Sequence, residues 1–113
     1  MKKKFKPAFN GLKLCVLDHS IRLQLIIACV VIGGCLIVGL TIYQWVMVIS
    51  AIAFVIVSEV INTCIEKLCD LIDANYNESI KTIKDLGAGA VLIASIYAVI
   101  IALIIGLMKL GVI

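Results

Sequence analysis

Between Leu23 and Ser58 the chain carries no charged residue. That run exceeds the roughly 20 residues that one bilayer crossing needs. Its middle, "LTIYQW", has the polar and aromatic character of a membrane interface. The run therefore divides into a first span near 23–41 and a second, near 45–72, whose last turns extend toward the cytoplasm. A third uncharged run, Leu86 to Met108, is again long enough to cross, giving a span near 86–108. Charged residues are 15% of the 113 and apolar ones 64%, against roughly 25% charged in an average soluble domain. One small soluble fold cannot hide that much apolar surface. The membrane is its solvent.

The basic residues orient these spans. Lys2, Lys3, Lys4, Lys6, Lys13 and Arg22 precede the first span, and Lys67, Lys81 and Lys84 lie between the second and third. The first-to-second turn has none, so the N-terminus and the 67–84 segment are expected inside, with the C-terminus outside. "MKKKFK" leads into polar residues rather than an apolar signal core, and reads as a permanent cytoplasmic anchor. Phe5, Phe9, Leu12 and Val16 recur at helical spacing among the lysines, which predicts an amphipathic surface helix over about 5–20. Pro7 is expected in its first turn. The fold class is thus all-α: three transmembrane helices plus a surface helix, in a single domain over 1–113. The five cysteines lack CxxC spacing and read as small reduced hydrophobes.

The second span ends in "SEVINTCIEKLCDLID". At about 100° per residue, Glu59, Asn62, Glu66, Asp70 and Asp73 fall within an arc of roughly 80°. One helix face thus carries four carboxylates and an amide, beside apolar Val60, Ile61, Ile65, Leu68 and Ile72. Acids at membrane depth are costly and by default mark function. On the third span Ala90, Ala94, Ala98, Ala102 and Gly106, preceded by Gly87, form a row of small residues that permits close helix approach in lipid. Three spans leave little interior to shelter the acidic face, so subunits are expected to shelter it in an oligomer.

Clustered carboxylates with an amide are hard oxygen ligands and suit magnesium, which keeps waters and bridges to phosphates. Asp18, Glu59, Asn62, Glu66, Asp70, Asp73, Lys81, Lys84 and Asp85 gather at the cytoplasmic edge. A lysine there is a natural phosphate partner. Glu59, nearest the apolar layer, is the carboxylate that desolvation best suits to a general base. A metal, a phosphate clamp and a base are the parts of phosphoryl transfer. A hydroxyl that reaches Glu59 from the membrane side belongs to a lipid. No GxxxxGK[ST] occurs, so any ATP site is of an unusual type. Nothing beyond the few lysines points to nucleic acid.

"SEVINTCIEKLCDLI…NYNESIKTIKDLGAGAVLIAS" resembles the signature of the small prokaryotic diacylglycerol/undecaprenol kinases, roughly E-x-x-N-[ST]-x-I-E-x-x-x-D followed by K-D-x-x-[AS][AG]-A-V-L. The resemblance implies a homotrimeric enzyme of the bacterial inner membrane, with active sites between subunits on the cytoplasmic side. The reaction it implies moves the γ-phosphate of Mg-ATP to a lipid alcohol, undecaprenol favoured over diacylglycerol. By position it implies Glu59 as catalytic base and Glu66 as metal ligand. It further implies Asn62, Asp70, Tyr76, Lys84 and Asp85 at the nucleotide. Where the family carries E-x-x-F-R, "DHSIR" has Asp18 and Arg22, so Asp18 is the second expected metal ligand. Pro7 stands where relatives often have an aromatic.

Two other classes fit less well. A small multidrug transporter needs a fourth span and an acid in its first, and a proton-translocating ring subunit has one isolated midplane carboxylate rather than a row of four.

Overall fold

The computed structural model describes residues 2–113, with side chains from Lys4 onward. The side chains of Lys2 and Lys3, counted above among the anchoring lysines, therefore lie outside the described residues. The described chain is all-helical, and three of its four helices are long and apolar enough to cross a membrane. It forms two compact units, one ending at Val38 and the other running Gly39–Ile113.

In the N-terminal unit, α1 (Lys2–Leu17) packs against α2 (His19–Val38). Helix α1 thus stops at Leu17, whereas the expected surface helix runs to about 20. Asp18 makes the break: its backbone N–H still bonds Leu14 and Cys15 carbonyls at 3.1 and 3.2 Å, while its side chain starts the next helix. Asp18 Oδ2 accepts from the Ile21 N–H at 3.1 Å, as an aspartate does at a helix start. Ile21 itself is buried. Pro7 sits inside α1, past the first turn where it was expected, because the helix already begins at Lys2. Helix α2 has 20 residues, about 30 Å at 1.5 Å per residue, the thickness of a hydrocarbon core.

Gly39, at φ +79°, turns the chain at the C-terminal end of α2, a conformation that favours glycine. Helix α3 (Ile42–Ile72) then starts earlier than the interface pattern suggested, because Thr41 and Gln44 form a capping box. The Thr41 hydroxyl accepts from the Gln44 N–H at 3.2 Å, and Gln44 Oε1 accepts from the Thr41 N–H at 3.0 Å. At the other end Asp73 caps α3 and Asp73 Oδ1 accepts from the Asn75 N–H at 2.9 Å. Asn77 opens α4 (Glu78–Lys109), its Oδ1 accepting from the Ser79 N–H at 2.9 Å. The charged segment before the third apolar run is therefore helical, continuous with the span.

Helices α3 and α4 are an antiparallel pair. The buried residues of α3, Gln44, Val48, Ala51, Asn62 and Cys69, are spaced by 4, 3, 11 and 7. Those of α4, Gly87, Ala94 and Ile105, are spaced by 7 and 11. Every step is a sum of threes and fours, the 3.5-residue repeat of helices that pack along one seam. Phe54 and Tyr97 meet edge to face across it, with ring centroids 5.8 Å apart. Outside the seam both helices expose large apolar side chains, as helices long and apolar enough to cross a membrane do.

The small-residue row does not all face α3. Four residues advance a helix by about 400°, so the row winds around α4 by roughly 40° per step. Ala94 is 0% exposed in the seam and Ala98 is half-buried, whereas Ala90, Ala102 and Gly106 are exposed. Ala94→Leu is expected to overpack the seam at a cost of about 1–3 kcal/mol. Ala90→Leu is expected to stay within about 0.5 kcal/mol of the parent. Thermal unfolding of both variants in detergent checks this, and an equal loss in the two would show the seam to be misassigned.

Candidate functional site

The antiparallel arrangement brings the acidic end of α3 beside the basic start of α4. At 31 and 32 residues these helices are about 46–48 Å long, well beyond a hydrocarbon core of roughly 30 Å. The excess turns carry the charges.

Across this end the acids lie beside the seam rather than in it. Asn62 is buried, 7% exposed, and is the only expected site residue that enters the seam fully. Its Nδ2 donates to Glu66 Oε1 at 2.9 Å, one turn along α3. Glu66 is otherwise exposed, and Glu59 is half-buried two turns deeper along the same face. Asn62 Oδ1 has no hydrogen-bond partner among the described residues and points at Gly87 of α4. A Cβ on Gly87 would run into that oxygen, so glycine is what admits the amide to the seam.

Two ion pairs organise the rest. Lys84 Nζ reaches across from α4 to Asp70 Oδ1 at 2.7 Å, and Lys81 Nζ binds Asp85 Oδ2 at 2.7 Å along α4. Lys84 and Asp85, adjacent in sequence, thus serve different partners. Lys81, at the expected cytoplasmic edge but with no role in the expected site, has a signal for its pairing in its i,i+4 spacing to Asp85. The hydrogen bond to Asp70, first, and the charges of Asp70 and Glu66 hold the Lys84 ammonium above the ordinary lysine range, against an opposing desolvation. Lys84 stands ahead of the apolar run that begins at Leu86. Tyr76, in the α3–α4 connection, is 79% exposed at the edge of a shallow, open depression lined also by Glu78, Ser79, Lys81 and Thr82. Asp18 belongs to the N-terminal unit, where Oδ2 accepts from the Ile21 N–H.

Comparison with known proteins decides the family. The model of the prokaryotic diacylglycerol kinase family matches residues 6–106. The chain belongs to that family. It is similar to the undecaprenol kinase of Bacillus subtilis (strain 168), 32% identical over 93 residues, which is 82% of this chain and 76% of that one. It is also similar to the diacylglycerol kinase of Escherichia coli (strain K12), 44% identical over 55 residues, 49% of this chain and 45% of that one. The same figures hold for the diacylglycerol kinase of Shigella flexneri. The matched region spans less than half the length of these diacylglycerol kinases. With three long apolar helices, this member of the prokaryotic diacylglycerol kinase family is a multi-pass membrane protein.

The raised Lys84 value has a measurable consequence. The ammonium form persists through neutral and mildly alkaline pH, and its pairing with Asp70 is lost only as pH rises through a value above the usual 10.5. Asp70→Asn removes the main cause, so at about pH 9 more of Lys84 is the neutral amine. Acylation of Lys84 by an amine-reactive probe, followed by peptide mass spectrometry, is expected to run faster in the variant. Equal rates would show that Asp70 does not hold the ammonium.

Proposed function

We propose that this protein transfers the γ-phosphate of Mg-ATP to a lipid alcohol, and that it does so as a homotrimer with its sites at the cytoplasmic face of the inner membrane. The observation that carries this reading is the charged end of the α3–α4 pair. There an acidic row begins at the edge of an apolar helix and its Asp70 pairs with Lys84 of α4, in a member of a family described as diacylglycerol kinases. Undecaprenol is the favoured lipid, with diacylglycerol the other. The similarity to an undecaprenol kinase extends over 82% of this chain, against 49% for the diacylglycerol kinases.

The donor set fits magnesium arriving with the nucleotide. No group of three metal-ligating side chains stands together among the described residues. Magnesium does not require one, since it is held by one or two carboxylates and takes its other ligands from water and phosphate. Glu66 and Asp18 are the carboxylates we assign to it, each with one oxygen committed to a protein donor and the other available. Bound there, the ion supplies charge stabilisation for the transferring phosphoryl group.

The remaining roles follow from position. Glu59, deepest in the row, accepts the proton of the lipid hydroxyl as it attacks the γ-phosphorus. Lys84 binds phosphate oxygens, exchanging Asp70 for them. Asp70 and Asp85 lie on the nucleotide side, and Tyr76 offers an exposed ring to the adenine. A transporter or proton-conducting reading predicts no ATP turnover dependent on added lipid, which separates it from a kinase.

The purified protein with Mg-ATP is expected to move phosphate into undecaprenol, and more slowly or not at all into diacylglycerol or ceramide. Glu66→Gln is expected to raise the magnesium requirement and lower turnover by about 10²-fold or more. Glu59→Gln is expected to keep fold and Mg-ATP binding while losing lipid phosphorylation by about 10²-fold. Nucleotide binding and lipid phosphorylation measured on one preparation decide both. A Glu59→Gln protein with most of its turnover is not missing its base, and normal magnesium dependence in Glu66→Gln removes that residue from the metal.

A further inference from the structure

Asn62 is an uncomfortable residue for a helix seam in a membrane. It is 93% removed from contact with its surroundings' solvent, being 7% exposed, and its Oδ1 is without a hydrogen-bond partner among the described residues. An alanine or leucine would avoid leaving that oxygen unpaired. Its other half is engaged, since Nδ2 donates to Glu66 Oε1 at 2.9 Å. The orientation of the amide follows from this contact. Turned over, Asn62 would set its oxygen against the Glu66 carboxylate, acceptor against acceptor.

Gly87 is what faces the unpaired oxygen. A Cβ there would collide with Asn62 Oδ1, and would stand 3.4 Å from Asn62 Cγ and 3.7 Å from Ile65 Cδ1. The tight approach is therefore to the asparagine side chain; Ile65 lies at ordinary van der Waals distance. Gly87 is helical and buried in α4, so a turn does not explain it.

We propose that Gly87 is a positioning residue for the reaction: its bare Cα makes room for the Asn62 side chain, which in turn holds the exposed Glu66 carboxylate for the metal. The inference rests on the assignment of Glu66 to magnesium made above. Asn62 then acts through Glu66, and the oxygen it leaves unpaired is the consequence of aiming its amide nitrogen outward from the seam. A side chain at 87 pushes the amide off its rotamer and releases Glu66 into the many conformers of a free glutamate.

The test compares Gly87→Ala, Asn62→Ala, the double variant and Glu66→Gln as full-length protein in detergent. Manganese affinity is read by electron paramagnetic resonance with a non-hydrolysable ATP analogue, alongside thermal midpoint and the KM for lipid. Gly87→Ala and Asn62→Ala are each expected to weaken manganese binding by about tenfold, the scale of losing a group that orients a ligand. The KM for lipid is expected to hold. The double variant is expected to bind manganese as Asn62→Ala does, with no further loss, since no amide remains to collide with.

Wild-type manganese affinity in Gly87→Ala, with a lowered thermal midpoint, would reduce Gly87 to helix packing and overturn the proposal. Losses that multiply in the double variant would overturn it too. If Gly87→Ala does not fold, the double variant decides: folding restored with the Asn62→Ala metal defect supports the proposal, and failure to fold overturns it. Glu66→Gln separates the two levels. Unchanged affinity there removes the metal assignment itself, whereas a loss there without one in Gly87→Ala removes only the role of Gly87.

Discussion

The polar contacts that join the two halves of the C-terminal unit depend on the seam between α3 and α4. A membrane helix gains little from hiding apolar side chains from lipid, so two such helices associate through close packing and a few polar contacts. Ala51 and Ala94 supply the close approach, and the Phe54–Tyr97 edge contact and Gln44 Nε2 donating to Met108 Sδ at 3.9 Å supply specificity along its length. Because the pair is antiparallel with a short connection, fixing the seam also fixes which charges meet. Lys84 reaches Asp70 only because the two helices are in this register.

The acids occupy the border of that seam. A carboxylate within it would need a buried counter-charge, and one on the opposite side would face lipid. At the border Glu66 and Asp70 keep solvent access while their backbones share the rigidity of the packed helices. Asn62 is the exception that enters the seam, as the neutral member of the group. An amide is far less expensive to bury than a carboxylate, and it passes its fixed position to Glu66 through one hydrogen bond.

Much of this was legible in the sequence, for identifiable reasons. The charge-free runs gave three long apolar helices, and the period of 3.6 residues put Glu59, Asn62, Glu66 and Asp70 on one face. Helix ends were less legible, since they are set by single side chains such as Asp18, Thr41 and Asn77 whose capping competes with hydropathy as the visible signal. The Ala90–Gly106 row looked like one packing surface because spacing by four is close to one turn. Over the twelve residues from Ala94 to Gly106 the difference accumulates, and the two end on different sides. The Asp70–Lys84 pair was beyond reach, because it depends on register between two helices and no local spacing encodes it.

The pairing of Lys84 with Asp70 also bears on the phosphate role proposed for Lys84. The ammonium is already paired with a carboxylate, so under that role an incoming phosphate exchanges places with Asp70 rather than meeting a bare cation. A phosphate alone would leave Asp70 confronting fresh negative charge beside Glu66, and the exchange would gain little. A phosphate that carries a divalent cation leaves Asp70 beside positive charge instead. Under the role proposed for Lys84, the ion pair would thus favour anions that bring their own counterion over simple ones.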